Sequence, residues 1–422
     1  MNPDLPDFSS FEATIDALFS RVRGHIEPGS HRMQVLASKE TLDRLARIPT
    51  ILVAGTNGKG TTCALLEQSF REAGYRTALY TSPHLLSPTE RIRISGVPIS
   101  KETFLESARH VFEAAKIRLP DATFFELMTA LAFEVFASAQ IDVFVCEVGL
   151  GGRLDSTNVL SPWVSVLTSV GLDHTEWLGP TEKTIAFEKS FVSRRNKSLV
   201  VGSISEVAKE GLSQALAITG ARPVFVEFES DPTRTSEALV LTVLEEFARA
   251  GGPKVTESIF NRACSNYFWP GRMDVREVAG VKVMLDAAHN SHGVNYLLQQ
   301  LKNRPQLREL PHPRILVYAT LADKDWPDVL KQLAPAFDTI HLTQTQSPRA
   351  VQVNDLIQYI SGTMRAAQVK AHISSSEALT EGLKSAQLSS GSLFILGSIT
   401  LLGEAMEFLS IPVFPEQGRA SL

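Results

Sequence analysis

Residues 51–62 read ILVAGTNGKGTT, and this stretch decides the fold of the first part of the chain. Its first four residues, Ile51 to Ala54, form an apolar run suited to a short buried strand. The segment from Thr62 to Ala73 has its apolar side chains at helical spacing. The loop between them has three glycines and Lys59, so backbone N–H groups and an ammonium group can surround a chain of phosphates. The stretch therefore predicts a nucleotide-binding site.

The loop departs from the strict phosphate-binding pattern G-x-x-x-x-G-K-[ST]. Val53 stands where that pattern has its first glycine, and Gly60 separates Lys59 from Thr61. The lysine, the hydroxyls and the strand-to-helix context still favour phosphate binding over a glycine-rich turn that binds nothing. The predicted nucleotide-binding residues of the loop are Asn57, Gly58, Lys59, Gly60, Thr61 and Thr62.

Short β-branched runs alternate with longer amphipathic stretches between Ile48 and Val192. This alternation is typical of βαβ units and predicts a largely parallel sheet. We predict strands at 51–54, 77–80, 143–148 and 164–168, and helices at 62–73 and 124–137.

A second pattern begins after the tripeptide Trp269-Pro270-Gly271, which follows a helical stretch at 237–250. The chain of 422 residues is also longer than one ordinary core requires, so an α/β fold in two domains is expected. We assign 1–268 to an N-terminal P-loop-type ATPase domain with a mainly parallel sheet, 269–277 to a linker, and 278–422 to a smaller Rossmann-like α/β domain. Predicted elements of the second domain are strands at 281–285, 314–318, 339–342 and 393–396 and a helix at 294–302.

The composition argues against several classes of partner. A formal net charge of −5 gives no general attraction for nucleic acid or for an anionic membrane, so the expected partners are small molecules. Residues 1–10 lack the basic region and apolar run of a secretory signal. No stretch reaches the ~18 apolar residues of a membrane-spanning helix. We therefore expect a cytoplasmic protein that does not enter the membrane.

Polar residues at predicted strand ends are candidates for metal binding. A bound triphosphate normally needs magnesium, which prefers hydroxyl, carboxylate, phosphate and water oxygens. Glu147 follows a predicted buried strand. Its carboxylate therefore either lies at the carboxyl edge of the sheet, where ligands bind, or is an acid exposed to solvent at the strand end. His174 follows another strand; a lone histidine is more often structural, but the strand end favours a functional role. Lys189 looks locally like an ordinary surface lysine.

The second domain has a comparable polar turn. Residues 286–290, Asp-Ala-Ala-His-Asn, follow a predicted strand and bring an acid, an imidazole and an amide together. This turn is either a ligand-binding segment or a cap for the next helix. Arg272 and Lys324 add positive charge that suits either phosphate binding or surface salt bridges.

Taken in chain order, these features resemble the folylpolyglutamate synthase and dihydrofolate synthase family of the Mur ligase superfamily. The resemblance spans most of the chain, because the matched segments run from the phosphate loop into the second domain. They are 53–62, Ser82-Pro83-His84-Leu85, Glu90-Arg91-Ile92-Arg93, 147–158, Asp173-His174-Thr175, Trp177-Leu178-Gly179, Glu188-Lys189, Pro270-Gly271-Arg272, 286–290 and Asp323-Lys324-Asp325.

The resemblance implies a ligase that phosphorylates a substrate carboxylate with ATP and then lets the amine of L-glutamate expel phosphate. It implies two magnesium sites, one that includes Thr61 and one formed by Ser82, Glu147 and His174. Lys189 matches a lysine that the family carbamylates, and a monovalent cation is implied as well. The residues matched to catalytic positions are Lys59, Lys189, His174 and His289.

The resemblance also assigns substrate contacts. Arg272 and Asp286 match residues that contact the nucleotide, and His289 and Ser398 match residues that seat the incoming glutamate. A monomer acting on ATP, L-glutamate and dihydropteroate or a reduced folate is expected. The residues matched to the pterin site are Thr123, Phe124, Phe125, Glu126, Leu154, Asp155 and Ser156, with the segment Ile26-Glu27-Pro28 beside them.

The sequence leaves two alternative functions open. One alternative is a cell-wall ligase of the same superfamily, but Gly60 and the segment Ser82-Pro83-His84 are typical of the folate branch. Such a ligase would also usually have an additional N-terminal domain, and the ~50 residues before the phosphate loop are few for a domain. A non-catalytic nucleotide-binding module is the alternative from another class. Two positions depart from the pattern of the family. Ser156 stands where an alanine is common, and Ser190-Phe191 replaces the usual alanine-glycine pair. The sequence does not decide between dihydropteroate and a reduced folate as acceptor.

Overall fold

The computed structural model describes residues 5–21, 29–226, 235–363 and 368–414. The described chain forms two compact units, one ending at Tyr267 and one beginning at Phe268. The predicted linker at 269–277 overlaps a strand of the second unit, Asp274–Val278, so its last residues belong to a sheet. The assignment of 269–277 as a linker stays a prediction.

The elements of the first unit follow in chain order. Its described strands are β1 (Thr50–Ala54), β2 (Thr77–Tyr80), β3 (Ile92–Ile94), β4 (Val97–Pro98), β5 (Val143–Glu147), β6 (Val164–Leu167), β7 (Ser198–Val201) and β8 (Arg222–Phe225). Its described helices are α1 (Phe11–Ser20), α2 (Ser30–Leu36), α3 (Lys39–Leu45), α4 (Lys59–Glu72), α5 (Lys101–Arg118), α6 (Phe124–Ser138), α7 (Thr175–Leu178), α8 (Glu182–Ser190), α9 (Glu206–Thr219), α10 (Thr235–Arg249) and α11 (Glu257–Ser265).

One sheet runs through the first unit in the order β4-β3-β2-β5-β1-β6-β7-β8. The six strands β2-β5-β1-β6-β7-β8 are parallel to one another, whereas β3 is antiparallel to β2 and β4 is antiparallel to β3. In the centre, Leu52 of β1 lies opposite Cys146 of β5 and Ser165 of β6. Every residue of β1 is buried, which explains why this strand is an unbroken apolar run rather than an alternating one.

The second unit has its own sheet in the order β13-β12-β11-β14-β10-β9, in which only β9 is antiparallel to its neighbour. Its described strands are β9 (Asp274–Val278), β10 (Val281–Asp286), β11 (Arg314–Tyr318), β12 (Thr339–Leu342), β13 (Gln368–Ala371) and β14 (Ser392–Leu396). Its described helices are α12 (Ser291–Asn303), α13 (Pro305–Arg308), α14 (Trp326–Leu333), α15 (Val353–Thr363), α16 (Ser375–Ser389) and α17 (Ile399–Phe408).

The predicted α/β class with two mainly parallel sheets is confirmed, and each predicted strand is present within one or two residues of its predicted bounds. The predicted helix at 62–73 begins earlier, at Lys59, because the phosphate loop itself leads into the first helical turn. Within the described residues, none of the helices combines the length and apolar character needed to cross a lipid bilayer.

Candidate active site

Sheet order brings the polar loops of the first unit to one edge. Strand β1 lies between β5 and β6, and β2 lies on the far side of β5. Because these four strands are parallel, the residues that follow them emerge at the same, carboxyl edge of the sheet. The loops at this edge contain the phosphate loop, Ser82, the segment after Glu147 and the segment that leads to His174.

The phosphate loop ends at the amino terminus of α4. Gly58 occupies the N-cap position with a left-handed φ of 82°, and no side chain caps the helix. Most other helices of this unit are capped by a serine or threonine hydroxyl, and α4 shares its open end with the two short helices α2 and α7. Unpaired N–H groups and the helix dipole make such an end a site for anions. The predicted residues that line it are Asn57, Gly58, Lys59, Gly60, Thr61 and Thr62.

The segment after β6 holds the loop in shape. The hydroxyls of Thr168 and Ser169 donate to the carbonyl of Asn57 at 2.7 and 3.1 Å, and the Asn57 N–H donates to Ser169 Oγ at 3.1 Å. Gly55 has a φ of 153°, and a Cβ there would lie 1.9 Å from Thr168 Oγ1. The close approach of these two segments therefore requires glycine at position 55.

Two lysines meet at this loop. Lys59 Nζ donates to the carbonyl oxygens of Gly55 at 3.1 Å and Thr56 at 3.3 Å. Lys189 Nζ, from the last turn of α8, donates to the same Gly55 oxygen at 3.0 Å. Lys189 is only 4% exposed. The local sequence predicted a surface lysine at 189, and the structure shows that this local reading is wrong.

Burial changes the protonation of Lys189. Burial and, to a smaller extent, the neighbouring charge of Lys59 together lower the pKa of this amine to about 7, whereas Asp173 and Asp155 oppose the shift. A large fraction of the Lys189 side chain is therefore neutral near pH 7 and can act as a nucleophile.

Glu147 and Ser82 are joined at the same edge. The last residue of β5, Glu147, is buried, and its Oε2 accepts a hydrogen bond of 3.0 Å from the backbone N–H of Ser82. A carboxylate beside a hydroxyl residue, close to a phosphate loop, is a donor set that suits magnesium. In the described part of the chain there is no cluster of three or more His, Cys, Asp or Glu side chains that could hold a metal. Magnesium here would therefore depend on hydroxyl, phosphate and water oxygens as well.

His174 lies at the start of a short helix. It is the N-cap residue of α7 with a left-handed φ of 52°, and its side chain is partly exposed. Its backbone N–H donates to Oδ1 of Asp173 at 3.0 Å. The position at the carboxyl edge agrees with the sequence, but its place beside Glu147 stays a prediction.

Thr123 and Glu126 shape the start of α6. Each accepts from the backbone N–H of the other, which forms a capping box. The Glu126 carboxylate is also held by the guanidinium of Arg32 from α2, at 2.6 and 3.2 Å. These two predicted pterin ligands are thus engaged in the protein's own structure, and they position Phe124 and Phe125 at the first turn of the helix.

The loop 149–156 lies against that turn. A Cβ on Gly149 would lie 2.3 Å from the ring of Phe125, so glycine allows the loop to approach this ring. Asp155 is buried, and its carboxylate accepts from the N–H groups of Leu150 and Thr157 and from the Thr157 hydroxyl. Burial raises its pKa. Of the other two predicted residues here, Leu154 is exposed and Ser156 is buried; the predicted segment 26–28 lies outside the described residues.

In the second unit, the turn before β9 wraps around Asp286. The carboxylate of Asp286 accepts from the N–H groups of Met273 and Ala288, both at 2.8 Å. Burial raises the pKa of Asp286, and the charge of Arg272 opposes this shift. The predicted pair Arg272 and Asp286 is therefore close enough to interact electrostatically, and a buried anion is held at the carboxyl end of β10.

The other predicted residues of the second unit lie at helix starts on the same edge of their sheet. Asn290 caps α12 by accepting a hydrogen bond from the N–H of Gly293. Part of the polar turn at 286–290 is therefore a helix cap, which was one of the two interpretations of its sequence. His289 Nδ1 lies 2.8 Å from the carbonyl oxygen of Ala287. Ser398 is buried and caps α17.

Sequence reasoning missed side chains whose importance comes from distant partners. Arg32 is separated by 94 positions from Glu126, and nothing in its own surroundings in the sequence marks it as buried. Phe19 contacts Phe124, about a hundred positions away, and no local pattern marks it. Arg91, which belongs to one of the segments matched by the resemblance, also contacts Phe124.

Two family models match this chain. Residues 53–229 match the Mur ligase middle domain, and residues 271–398 match the Mur ligase, glutamate ligase domain. The dihydrofolate synthase/folylpolyglutamate synthase of Escherichia coli (strain K12) is 33% identical over 359 residues, which cover 79% of this chain and 82% of that protein.

Two solved structures are also similar to this chain. The fold is similar to E. coli FolC in complex with DHPP and ADP, with a TM-score of 0.82, 28% identity and coverage of 96% of this chain and 99% of that one. It is also similar to a bifunctional folylpolyglutamate synthase/dihydrofolate synthase with Mn, AMPPNP and L-glutamate bound, with a TM-score of 0.80, 28% identity and coverage of 97% and 100%.

Proposed function

This chain belongs to the dihydrofolate synthase/folylpolyglutamate synthase family of Mur ligases, and we propose that it joins L-glutamate to dihydropteroate, to reduced folates, or to both. The enzyme is an ATP-dependent ligase. The acceptor carboxylate takes a phosphoryl group from ATP, and the amine of glutamate then attacks the acyl phosphate and releases phosphate.

The uncapped start of α4 is the observation that supports this proposal most directly. Its N–H groups, together with Lys59, offer a preformed positive site for the triphosphate. The ammonium of Lys59 is bound to two carbonyl oxygens of the loop; transfer to phosphate oxygens would place its charge where negative charge develops.

Magnesium fits the residues at this edge. We assign Thr61 to one magnesium and Ser82, Glu147 and His174 to the other, since the carboxylate of Glu147 is already held beside Ser82. When bound, magnesium would neutralise phosphate charge during phosphoryl transfer. The relatives with bound Mn and nucleotide support a divalent metal of this kind.

Lys189 is the proposed site of carbamylation. The neutral amine attacks carbon dioxide, a C–N bond forms, and one proton leaves, so that a carbamate anion replaces the ammonium. A pKa of about 7 provides the neutral amine that this step needs. A carbamate at this point would reverse the sign of the charge next to Gly55 and offer oxygen atoms to a metal.

We assign the second unit to nucleotide and glutamate binding. The buried carboxylate of Asp286 and the charge of Arg272 are expected at the nucleotide, and His289 and Ser398 at the glutamate. The relative with bound L-glutamate supports this class of substrate. Action as a monomer, and binding of a monovalent cation, remain predictions from the resemblance.

Product analysis tests the proposed function. Purified protein is incubated with ATP, magnesium and L-glutamate, and dihydropteroate or tetrahydrofolate is supplied in separate reactions. We expect ADP formation that depends on both the acceptor and glutamate, with a mass gain of one glutamyl unit in the acceptor. If neither acceptor gains this mass, the ligase assignment is wrong.

A further inference from the structure

Four side chains from separate segments meet beside the candidate magnesium site. Phe19 comes from the last turn of α1, His84 from the loop after β2, Arg91 from a 3-10 helix at Pro88–Arg91, and Phe124 from the first position of α6. We call these four residues the ring cluster. His84 is two positions from Ser82, whose N–H binds Glu147, so the ring cluster continues directly from that site.

The two phenylalanine rings are parallel. The ring centroids of Phe19 and Phe124 are 5.1 Å apart and the ring planes differ by 6°, which is an offset stack. The ring of His84 makes an edge-to-face contact with Phe19, with a centroid distance of 6.1 Å and an angle of 65° between the rings.

Arg91 holds two other side chains of the cluster, Phe124 and His84. Its guanidinium carbon lies 5.1 Å from the centroid of Phe124, and its Nε donates to His84 Nδ1 at 2.8 Å. Because Nδ1 accepts this bond, the neutral imidazole carries its proton on Nε2. The cluster is therefore a preorganised wall rather than a flexible surface.

Phe19 is exposed where a core residue would not be. It keeps 44% of its surface accessible, although the residue one position earlier, Leu18, is almost fully buried. One face of the Phe19 ring is used by Phe124, and its remaining surface is open. An exposed aromatic ring next to a rigid aromatic and cationic wall is a typical binding surface for a planar aromatic ligand.

We propose that Phe19 is a specificity-determining residue of the acceptor site, where its open ring surface stacks on the aromatic part of the acceptor. This inference rests on the proposed function, because that function supplies an acceptor with a pterin and an aminobenzoyl ring. Phe19 extends the stacking surface beyond Phe124, and it favours planar ring systems over acceptors that present sugar or peptide at this point. It does not touch the reacting carboxylate, so its effect is on acceptor affinity rather than on chemistry.

Steady-state kinetics with Phe19→Ala and Phe19→Trp test the inference. The alanine variant is expected to raise the KM for dihydropteroate or tetrahydrofolate about threefold to tenfold, the range expected for one aromatic stack. Its kcat and its KM values for ATP and glutamate should stay within about twofold of wild type, and the tryptophan variant should restore the acceptor KM. Phe225→Ala is the matched control, because Phe225 is similarly exposed (50%) but lies on β8, an outermost strand of the sheet, with four strands between it and β2.

Three results would overturn the inference. An acceptor KM that is unchanged in Phe19→Ala would show that the open ring does not touch the acceptor. A lower acceptor KM would show that Phe19 blocks Phe124 instead of assisting it. Equal losses for all three substrates would indicate a general structural role.

Calorimetric titration with pteroate keeps this inference separate from the proposed function, because binding requires no turnover. Weaker binding by Phe19→Ala than by Phe225→Ala is expected even if no acceptor is ligated. Equal binding by the two variants would refute the role of Phe19 and leave the ligase assignment intact.

Discussion

Lys59 and Lys189 donate hydrogen bonds to one acceptor, the carbonyl oxygen of Gly55, at 3.1 and 3.0 Å. Two ammonium groups on one oxygen atom repel each other, and the buried partner gives up its proton more easily. The lowered pKa of Lys189 is thus partly a consequence of Lys59. The loop therefore combines one lysine suited to bind phosphate with a second amine that is available for modification.

Lys59→Ala should remove the cation that stabilises the transferring phosphoryl group. We expect kcat to fall by at least about 100-fold, the cost typical of removing one such electrostatic contact. The measurement is ADP release in the presence of acceptor and glutamate. Lys183→Ala is the control, since Lys183 forms only a surface ion pair with Glu210. Full turnover by Lys59→Ala would contradict the assigned role.

Removing Lys59 should also shift the titration of Lys189. Because the charge of Lys59 lowers the pKa of Lys189, Lys59→Ala should raise that pKa above about 7. Isotope-labelled lysine Nζ signals followed by NMR from pH 6 to 10 measure the shift directly. Lys183→Ala should leave the signal unchanged; the same titration midpoint in all three proteins would show that the two amines do not interact.

Carbamylation of Lys189 predicts chemical rescue. Lys189→Ala should lose activity, and acetate, which can bring a carboxylate into the space left by the side chain, should restore part of it. Wild-type activity should decrease in buffer freed of carbon dioxide and recover when bicarbonate is added. Lys189→Arg, which cannot be carbamylated, is expected to respond neither to acetate nor to bicarbonate. Rescue of the arginine variant would argue against a carbamate.

The placement of Lys189 depends on Gly152. A Cβ at position 152 would lie 2.7 Å from the carbonyl oxygen of Lys189 and 2.8 Å from that of Glu188. Gly152→Ala should therefore push α8 away from the loop, lower the free energy of unfolding by about 1–3 kcal/mol, and reduce kcat. Gly171→Ala is the matched control, because its Cβ would come no closer than 3.9 Å, to Thr56. Urea unfolding and turnover of both variants decide the question; equal stability would show that the backbone relaxes freely.

The sequence predicted the features that depend on neighbouring residues and failed on those that depend on distant ones. The positions of strand β1, of the loop after it and of Glu147 at the end of β5 follow from local apolar runs, and these positions were predicted correctly. The binding roles of the loop and of Glu147 stay predictions. Strands β3 and β4 have only three and two residues, too few for a periodic pattern. Arg32 and Phe19 acquire their roles through contacts with α6, about a hundred residues away, which no local pattern can report.

A buried histidine pair gives the second unit its own dependence on pH. His341 of β12 and His372, which follows β13, place Nδ1 and Nε2 3.0 Å apart, with ring planes within 13° of each other. Burial, with smaller effects of His372 and Lys370, lowers the pKa of His341 from 6.5 to about 4. Glu377, 3.7 Å from His372, is the acidic group that faces the pair. The folded unit thus holds His341 neutral at a pH where the unfolded chain would protonate it.

The direction of the pH effect follows from this lowered pKa. Between pH 6.5 and about 4 the unfolded state binds more protons than the folded state, so this contribution to stability is complete above pH 6.5 and is lost as the pH falls towards 4. Hydrogen exchange of the β12 amides should therefore accelerate from pH 7 to pH 5, after correction for intrinsic rates, more than that of the β1 amides. His341→Leu should abolish most of this difference, whereas His110→Leu, at an exposed position on α5, should not. An unchanged pH dependence in His341→Leu would show that the pair does not control the stability of this unit.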